Sequence, residues 1–215
     1  ATGIPVISEE SAIIPYSERR HWDIFWLVDP LDGTKEFISK SKDFTVNIAL
    51  VRDSKPLLGV IYAPAYDILY FAEEIQGSFK LENTSKHISR ISPDDPDFLI
   101  SVSTRLPVSK TETYTYIVSR SHINGKTRRY LNNKTNPKQF ISMGSSLKLC
   151  ALAEGSADEY PRFGRTMEWD IAAGDAILRY AGGSVLNINN SGCLKYNKED
   201  LLNPEFIAFS GAKRS

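Results

Sequence analysis

Apolar residues fall into short runs separated by polar turns, and the runs divide into two zones. In the first zone, residues 24–28 (Ile-Phe-Trp-Leu-Val) are continuously apolar, which predicts a buried strand ending at Asp29. Residues 44–52, 57–63 and 68–73 are rich in Val, Ile, Leu, Tyr and Phe and predict three more strands. Asp53-Ser54-Lys55-Pro56 and Ala65-Tyr66-Asp67 supply turn chemistry between them, so the close spacing predicts an antiparallel sheet.

The second zone alternates differently. Residues 115–119 predict a strand, 123–134 a polar helix, and 145–154 a second helix with Ser145 as N-cap and Gly155 at its end. Over 170–181, Ile171, Ala173, Gly174, Ile177, Leu178 and Ala181 recur at near-helical spacing, and Gly182-Gly183 closes that helix as a C-cap. A strand at 184–188 and a turn at Asn189-Asn190-Ser191-Gly192 follow. The expected organisation is an α+β half over 1–97 and an α/β half over 98–215, divided at the polar, proline-bearing Ser92–Asp97.

Composition narrows the function classes. With 41% hydrophobic residues among 215, the chain can bury a core as one large domain or two small ones. Lys+Arg and Asp+Glu are 26 each, so no global field attracts nucleic acid or an anionic membrane, and nucleic acid is not an expected partner. No apolar run approaches the roughly 18–20 residues that span a bilayer, so no transmembrane segment is expected. The two cysteines, Cys150 and Cys193, make neither a disulfide scaffold nor a zinc pattern, which points to a reducing compartment.

Candidate chemistry concentrates at Trp26-Leu-Val-Asp29-Pro30-Leu31-Asp32-Gly33-Thr34. The strand delivers Asp29, Pro30 fixes φ, and a second carboxylate follows at Asp32. Gly33 permits close backbone approach, and Thr34 offers a hydroxyl where a helix or turn begins. Two carboxylates and the Leu31 carbonyl suit a hard cation such as Mg²⁺. A strand end closed by Asx turns fits the same residues, and spacing alone does not choose between them. Ser8-Glu9-Glu10 ends another short apolar run, and Trp169-Asp170 opens the small-residue helix Ile171-Ala172-Ala173-Gly174.

Together, Asp29-Pro-Leu-Asp-Gly-Thr34 and Trp169-Asp170-Ile-Ala-Ala-Gly174 resemble the inositol monophosphatase superfamily of Mg²⁺-dependent, lithium-sensitive phosphatases. Ser8-Glu9-Glu10, Asp43-Phe-Thr-Val-Asn-Ile-Ala-Leu50, Tyr62-Ala-Pro64, Ser119-Arg-Ser-His122, Gly144-Ser-Ser-Leu-Lys148, Tyr160-Pro-Arg-Phe-Gly164 and Leu202-Asn-Pro204 are similar to its bisphosphate nucleotidase branch. The resemblance implies a layered αβαβα sandwich of the inositol monophosphatase and sugar phosphatase type, with the site between its halves. It implies that Glu9, Asp29, Asp32, Asp170 and the Leu31 carbonyl hold two or three Mg²⁺, and that Gly33 and Thr34 receive the phosphate. Four carboxylates within a few Å would repel by about 4 kcal/mol per pair at an effective dielectric near 20, so such a cluster needs a compensating charge.

By the same resemblance, Glu9, Asp32 and Thr34 act in catalysis by direct attack of water, and Ser119, His122, Ser145, Lys148 and Arg162 contact a nucleotide. Lys148 and Arg162 suit a second phosphate, although each also fits a solvated surface position, and His122 fits a strand end equally well. Cys150 reads as a core residue, Trp26 and Trp169 as walls of the site. Arg165 departs from the family's Pro and is expected to add charge near Asp170. In the family, an Asp on an N-terminal helical segment pairs with this Thr; nothing precedes Ala1 here, so that segment is expected to be missing from the sequence. The implied activity is removal of the 3′-phosphate of adenosine 3′,5′-bisphosphate, and of 3′-phosphoadenylylsulfate. An inositol- or sugar-phosphate phosphatase with the same metal site is the alternative. The implied protein is a monomer or homodimer in the cytoplasm, or peripheral on the cytoplasmic face of the inner membrane.

Overall fold

In the computed structural model, which describes residues 3–12, 14–92, 94–108, 112–120, 123–135 and 138–212, the strands up to Arg105 form one seven-stranded sheet, which reaches past the division expected at Ser92–Asp97. Its strands are β1 (Val6–Ser8), β2 (Ile24–Asp32), β3 (Thr45–Arg52), β4 (Lys55–Ala63), β5 (Ile68–Glu73), β6 (Gly77–Glu82) and β7 (Thr104–Arg105), in that spatial order. β1 lies parallel to β2, and the other neighbours are antiparallel. Three short helices accompany the sheet: α1 (Tyr16–Arg19), α2 (Thr34–Ile38) and α3 (Pro96–Ser101).

The second zone runs β8 (Tyr114–Ser119), α4 (Gly125–Asn132), β9 (Lys138–Met143), α5 (Leu147–Glu154), β10 (Glu159–Arg162), α6 (Glu168–Tyr180), β11 (Ser184–Asn187) and β12 (Phe206–Phe209). These strands form a five-stranded sheet in the order β11-β12-β10-β8-β9, parallel across β10, β8 and β9 and antiparallel beyond.

Helices α5 and α6 join the two sheets into layers. α6 crosses β2 to β6 of the first sheet, and α5 lies beside α6 and reaches β10 and β12 of the second. Every second residue of β2 to β5 turns inward: Phe25, Leu27, Ala49, Val51, Ile61, Ala63, Tyr70 and Ala72 are all buried in this core. A fully buried side chain such as Ile177 or Leu178 of α6 contributes about 1.5–3 kcal/mol. α4 covers the outer face of the second sheet, with Leu131 and Tyr130 packed on Tyr116 and Val118. No helix among the described residues is long and apolar enough to cross a membrane.

Small residues set the closest approaches. A Cβ on Gly174 would lie 2.4 Å from Cδ1 of Leu149, so the bare glycine is what lets α5 and α6 touch there. α6 ends as the sequence predicts: Gly182 takes φ +88°, Gly182 N–H donates to Arg179 O and Gly183 N–H to Leu178 O, each at 2.9 Å.

Several predicted boundaries move. β2 does not end at Asp29 but continues to Asp32, with a register shift against β3 between them. Only Asp53 and Ser54 form the β3–β4 turn, both at positive φ, while Lys55 and Pro56 belong to β4. Ser145 is not a helix cap: α5 begins at Leu147, and Ser145 sits before it at φ +44°. α6 starts at Glu168, two residues before Asp170, which places that carboxylate inside the first turn. β6, β9, β10 and β12 escape the sequence reading because each is short or mixes polar residues and Pro into the run, as in Glu159-Tyr-Pro-Arg162.

Candidate active site

The parallel pairing of β1 with β2 brings the first two carboxylates together. Ser8 is in register with Val28, and the Glu9 amide donates to the Val28 carbonyl at 3.2 Å, so Glu9 emerges beside Asp29. The first turn of α6 delivers Asp170 to the same place. Carboxylate oxygens of Glu9, Asp29 and Asp170 lie within 4.8 Å of one another. The Asx turn foreseen for this strand end also exists, since Leu31 N–H donates to Asp29 Oδ1 at 3.0 Å. One residue serves both arrangements.

Electrostatics mark this cluster as unbalanced. Burial, followed by repulsion from Asp32, Glu9 and Asp170, pushes Asp29 up to about 8. Burial, Asp32 and Glu9 push Asp170 up to about 7, against the opposing bond from the Met167 amide at 2.8 Å. Burial also raises Asp32, with Lys148, Asn47 and the Ser146 amide pulling the other way. The donors are all carboxylate oxygens, a set that fits a hard divalent cation such as Mg²⁺, and its charge would relieve the repulsion.

Asp32 is held from behind by polar groups the sequence reading did not single out. Asn47 Nδ2 donates to Asp32 Oδ2 at 3.4 Å, Ser146 Oγ donates to Asn47 Oδ1 at 2.8 Å, and Thr45 Oγ1 lies 2.8 Å from Ser146 Oγ. Asn47 and Thr45 are fully buried. A signal existed: both occupy inward positions of a strand whose other inward residues are apolar, where a polar group needs a partner.

Beyond the carboxylates opens a cleft of about 210 Å³, lined among others by Asp32, Gly33, Thr34, Ser119, Ser145, Lys148, Arg162 and Asp170. It sits at the carboxyl ends of the parallel strands β8, β9 and β10, where open α/β sheets place their ligands. Gly33 takes φ +86°, and a Cβ there would lie 2.8 Å from the Asp43 carbonyl oxygen, so only glycine fits this turn. The Thr34 hydroxyl donates to the Leu31 carbonyl at 3.3 Å. Of the remaining expected contacts, Glu9 lines a neighbouring hollow with Trp169, and His122 lies outside the described residues.

Lys148 is buried rather than solvated: it is 8% exposed, its ammonium donates to the Ser145 carbonyl, and it lies 5.7 Å from the Tyr160 ring centre. Burial pulls it down to about 8, Asp32 opposing and Arg162 adding to the effect. Arg162 Nη2 donates to the Arg165 carbonyl at 2.9 Å, while its Nε is buried without a hydrogen-bond partner. The Ser145 hydroxyl is likewise buried and unpartnered. Arg162 acts on Asp170 and lowers it, while the Arg165 side chain is exposed. Trp26 does not wall the site either. Strand alternation turns it away from the face that carries Phe25, Leu27 and Asp29. Cys150 is a fully buried core residue, as expected.

A sequence model described as the inositol monophosphatase family matches residues 2–214. The chain is 40% identical to the 3′(2′),5′-bisphosphate nucleotidase CysQ of Shigella flexneri over 206 residues, covering 96% of this chain and 76% of that protein. The crystal structure of CysQ from Bacteroides thetaiotaomicron, described as a bacterial member of the inositol monophosphatase family, superposes with a TM-score of 0.90 at 45% identity, covering 99% of this chain and 79% of the other. An inositol monophosphatase from Anabaena shares the fold, with a TM-score of 0.71 at 24% identity over 97% of this chain and 74% of its own.

Proposed function

The chain belongs to the inositol monophosphatase family, and from that premise we propose that it is a Mg²⁺-dependent 3′(2′),5′-bisphosphate nucleotidase. It removes the 3′-phosphate of adenosine 3′,5′-bisphosphate to give AMP and phosphate, and acts on 3′-phosphoadenylylsulfate in the same way. Similarity to the CysQ nucleotidases supports the substrate class. The observation that carries the reading is the pair of cations, Lys148 and Arg162, lining the same cleft as Asp32 and Asp170. A monoester bound at the carboxylates would bring this pair no anion of its own, whereas a second phosphate gives both one to bind.

In this reading Glu9, Asp29, Asp32, Asp170 and the Leu31 carbonyl hold two or three Mg²⁺. Bound there, Mg²⁺ neutralises phosphate charge and acidifies water. Backbone N–H groups at Gly33 and Thr34 receive the 3′-phosphate. Glu9 orients the attacking water and takes its proton. The water oxygen bonds to phosphorus as the P–O3′ bond breaks with its electron pair on the 3′ oxygen, which takes a proton from solvent water as it leaves, and no covalent phosphoenzyme forms. Ser119, Ser145 and His122 contact the nucleoside, and Lys148 and Arg162 hold the 5′-phosphate. Inhibition by Li⁺ and action in a reducing cytoplasm belong to the same reading; the free thiols of Cys150 and Cys193 are consistent with that compartment.

Phosphate release from adenosine 3′,5′-bisphosphate and inositol 1-phosphate, with and without Mg²⁺, tests it. A Mg²⁺-dependent preference for the nucleotide is expected. A preference for inositol phosphate would keep the metal site and overturn the nucleotide cleft.

A further inference from the structure

Asp43 lies in the connection between α2 and β3, is not one of the clustered Glu9, Asp29 and Asp170, and is nearly as buried as Asp29. Three segments of the chain converge on its carboxylate. Oδ1 accepts from the Tyr66 hydroxyl at 2.8 Å, and Oδ2 accepts from the Gly144 amide at 2.8 Å and pairs with Arg120 Nη2 at 2.9 Å. Arg120 Nη1 reaches back to Ser41 Oγ at 3.0 Å, and Ser41 Oγ also accepts from the Asp43 amide at 3.3 Å. The first sheet is thereby tied to the ends of β8 and β9 in the second.

The placement matters because both walls of the cleft rest on Asp43. A Cβ on Gly33 would lie 2.8 Å from the Asp43 carbonyl oxygen, and one on Gly144 would lie 2.8 Å from the Asp43 Cβ. Gly33 opens the turn that faces the scissile phosphate. Gly144 precedes Ser145, and Arg120 directly follows Ser119; both serines line the cleft. Resting on the reading of the cleft as a nucleotide site, we propose that Asp43 and Arg120 are positioning residues. They set the register between the wall that takes the scissile phosphate and the wall that takes the nucleoside and second phosphate. Neither touches the reacting atoms.

Such a role gives a pattern that general destabilisation does not. A substrate that spans both walls feels their register; a small phosphomonoester engaged at one wall feels it much less. Arg120→Ala is expected to raise KM for adenosine 3′,5′-bisphosphate about tenfold, the usual cost of losing a charge-assisted contact. The fall in kcat and the change in KM for p-nitrophenyl phosphate should each be several-fold smaller. Arg120→Lys keeps the charge beside Asp43 and should recover part of the loss. Asp43→Asn combined with Arg120→Ala should cost less than the sum of the single changes, because both break one link. Equal losses on the two substrates, or strict additivity, would overturn the inference while leaving the nucleotidase reading intact. A wild-type protein without bisphosphate turnover would overturn both.

Discussion

A Cβ on Gly59 would lie 2.3 Å from the carbonyl oxygen of Ala173, so β4 and α6 meet at backbone-to-backbone distance. That contact holds α6 flat on the first sheet, and the first turn of α6 carries Asp170. Gly59→Ala should therefore cost about 1–3 kcal/mol by overpacking. At about 2–4 °C per kcal/mol for a chain of this size, the loss is visible in a thermal melt. A displaced Asp170 should also raise the Mg²⁺ concentration needed for half-maximal activity; a melt shift with an unmoved Mg²⁺ dependence would uncouple this packing from the site.

Asp32→Asn should lower kcat by on the order of a thousandfold, as expected for losing a group that holds a catalytic metal. The fold should survive, because Asn keeps an acceptor for Asn47 or the Ser146 amide and one charge leaves a self-repelling cluster. Circular dichroism and a melt in EDTA check the fold. Near-normal turnover would remove Asp32 from the metal site.

Acidity and Mg²⁺ should each stabilise the fold by relieving the same carboxylate repulsion, and each should add less where the other already acts. Asp29 and Asp170 rise from 3.8 to about 8 and about 7 in the folded chain, so between about pH 4 and 8 the folded state binds more protons than the unfolded one. Metal-free stability then falls as pH rises through that window, since folding must hold carboxylates that repel. Melts in EDTA at pH 5.5 and pH 8 should show the lower Tm at pH 8, and Mg²⁺ should raise Tm more at pH 8 than at pH 5.5. A Mg²⁺ shift of the same size at both values would sink the assignment.

Lys148→Ala should reduce kcat/KM about a hundredfold on adenosine 3′,5′-bisphosphate and about tenfold or less on a monophosphate, the difference being the second phosphate. Because burial holds Lys148 at about 8, its ammonium is present below that pH and lost above it. KM of the wild type for the bisphosphate should climb as pH rises past 8, and KM of the variant should not follow. Parallel pH profiles would argue against the contact.

Much of this architecture was legible in local pattern. The apolar runs at 44–52 and 68–73, the Asp53-Ser54 turn and the Gly182-Gly183 helix end are encoded within a few residues of one another, and each formed close to where it was read. Local signals fail where a residue's environment is set by distant chain. Asn47 showed only that an inward polar residue needs a partner; that the partner is Ser146, just before α5, came from 99 positions away. Trp26 looked like a neighbour of the site from its place in the sequence, but strand alternation turned it to the other face.

By itself the sequence determined where candidate carboxylate and hydroxyl donors stand, because Asp-Pro-Leu-Asp-Gly-Thr and Trp-Asp are short motifs whose donor atoms are local properties. Tertiary structure alone decided that Glu9, Asp29 and Asp170 meet within 4.8 Å, that Lys148 is buried, and that Asp43 reaches Gly144 across 101 positions of chain. Those distances follow from how two sheets and the α5–α6 pair pack together, a sum over many contacts remote in sequence, and no short stretch of residues carries that sum.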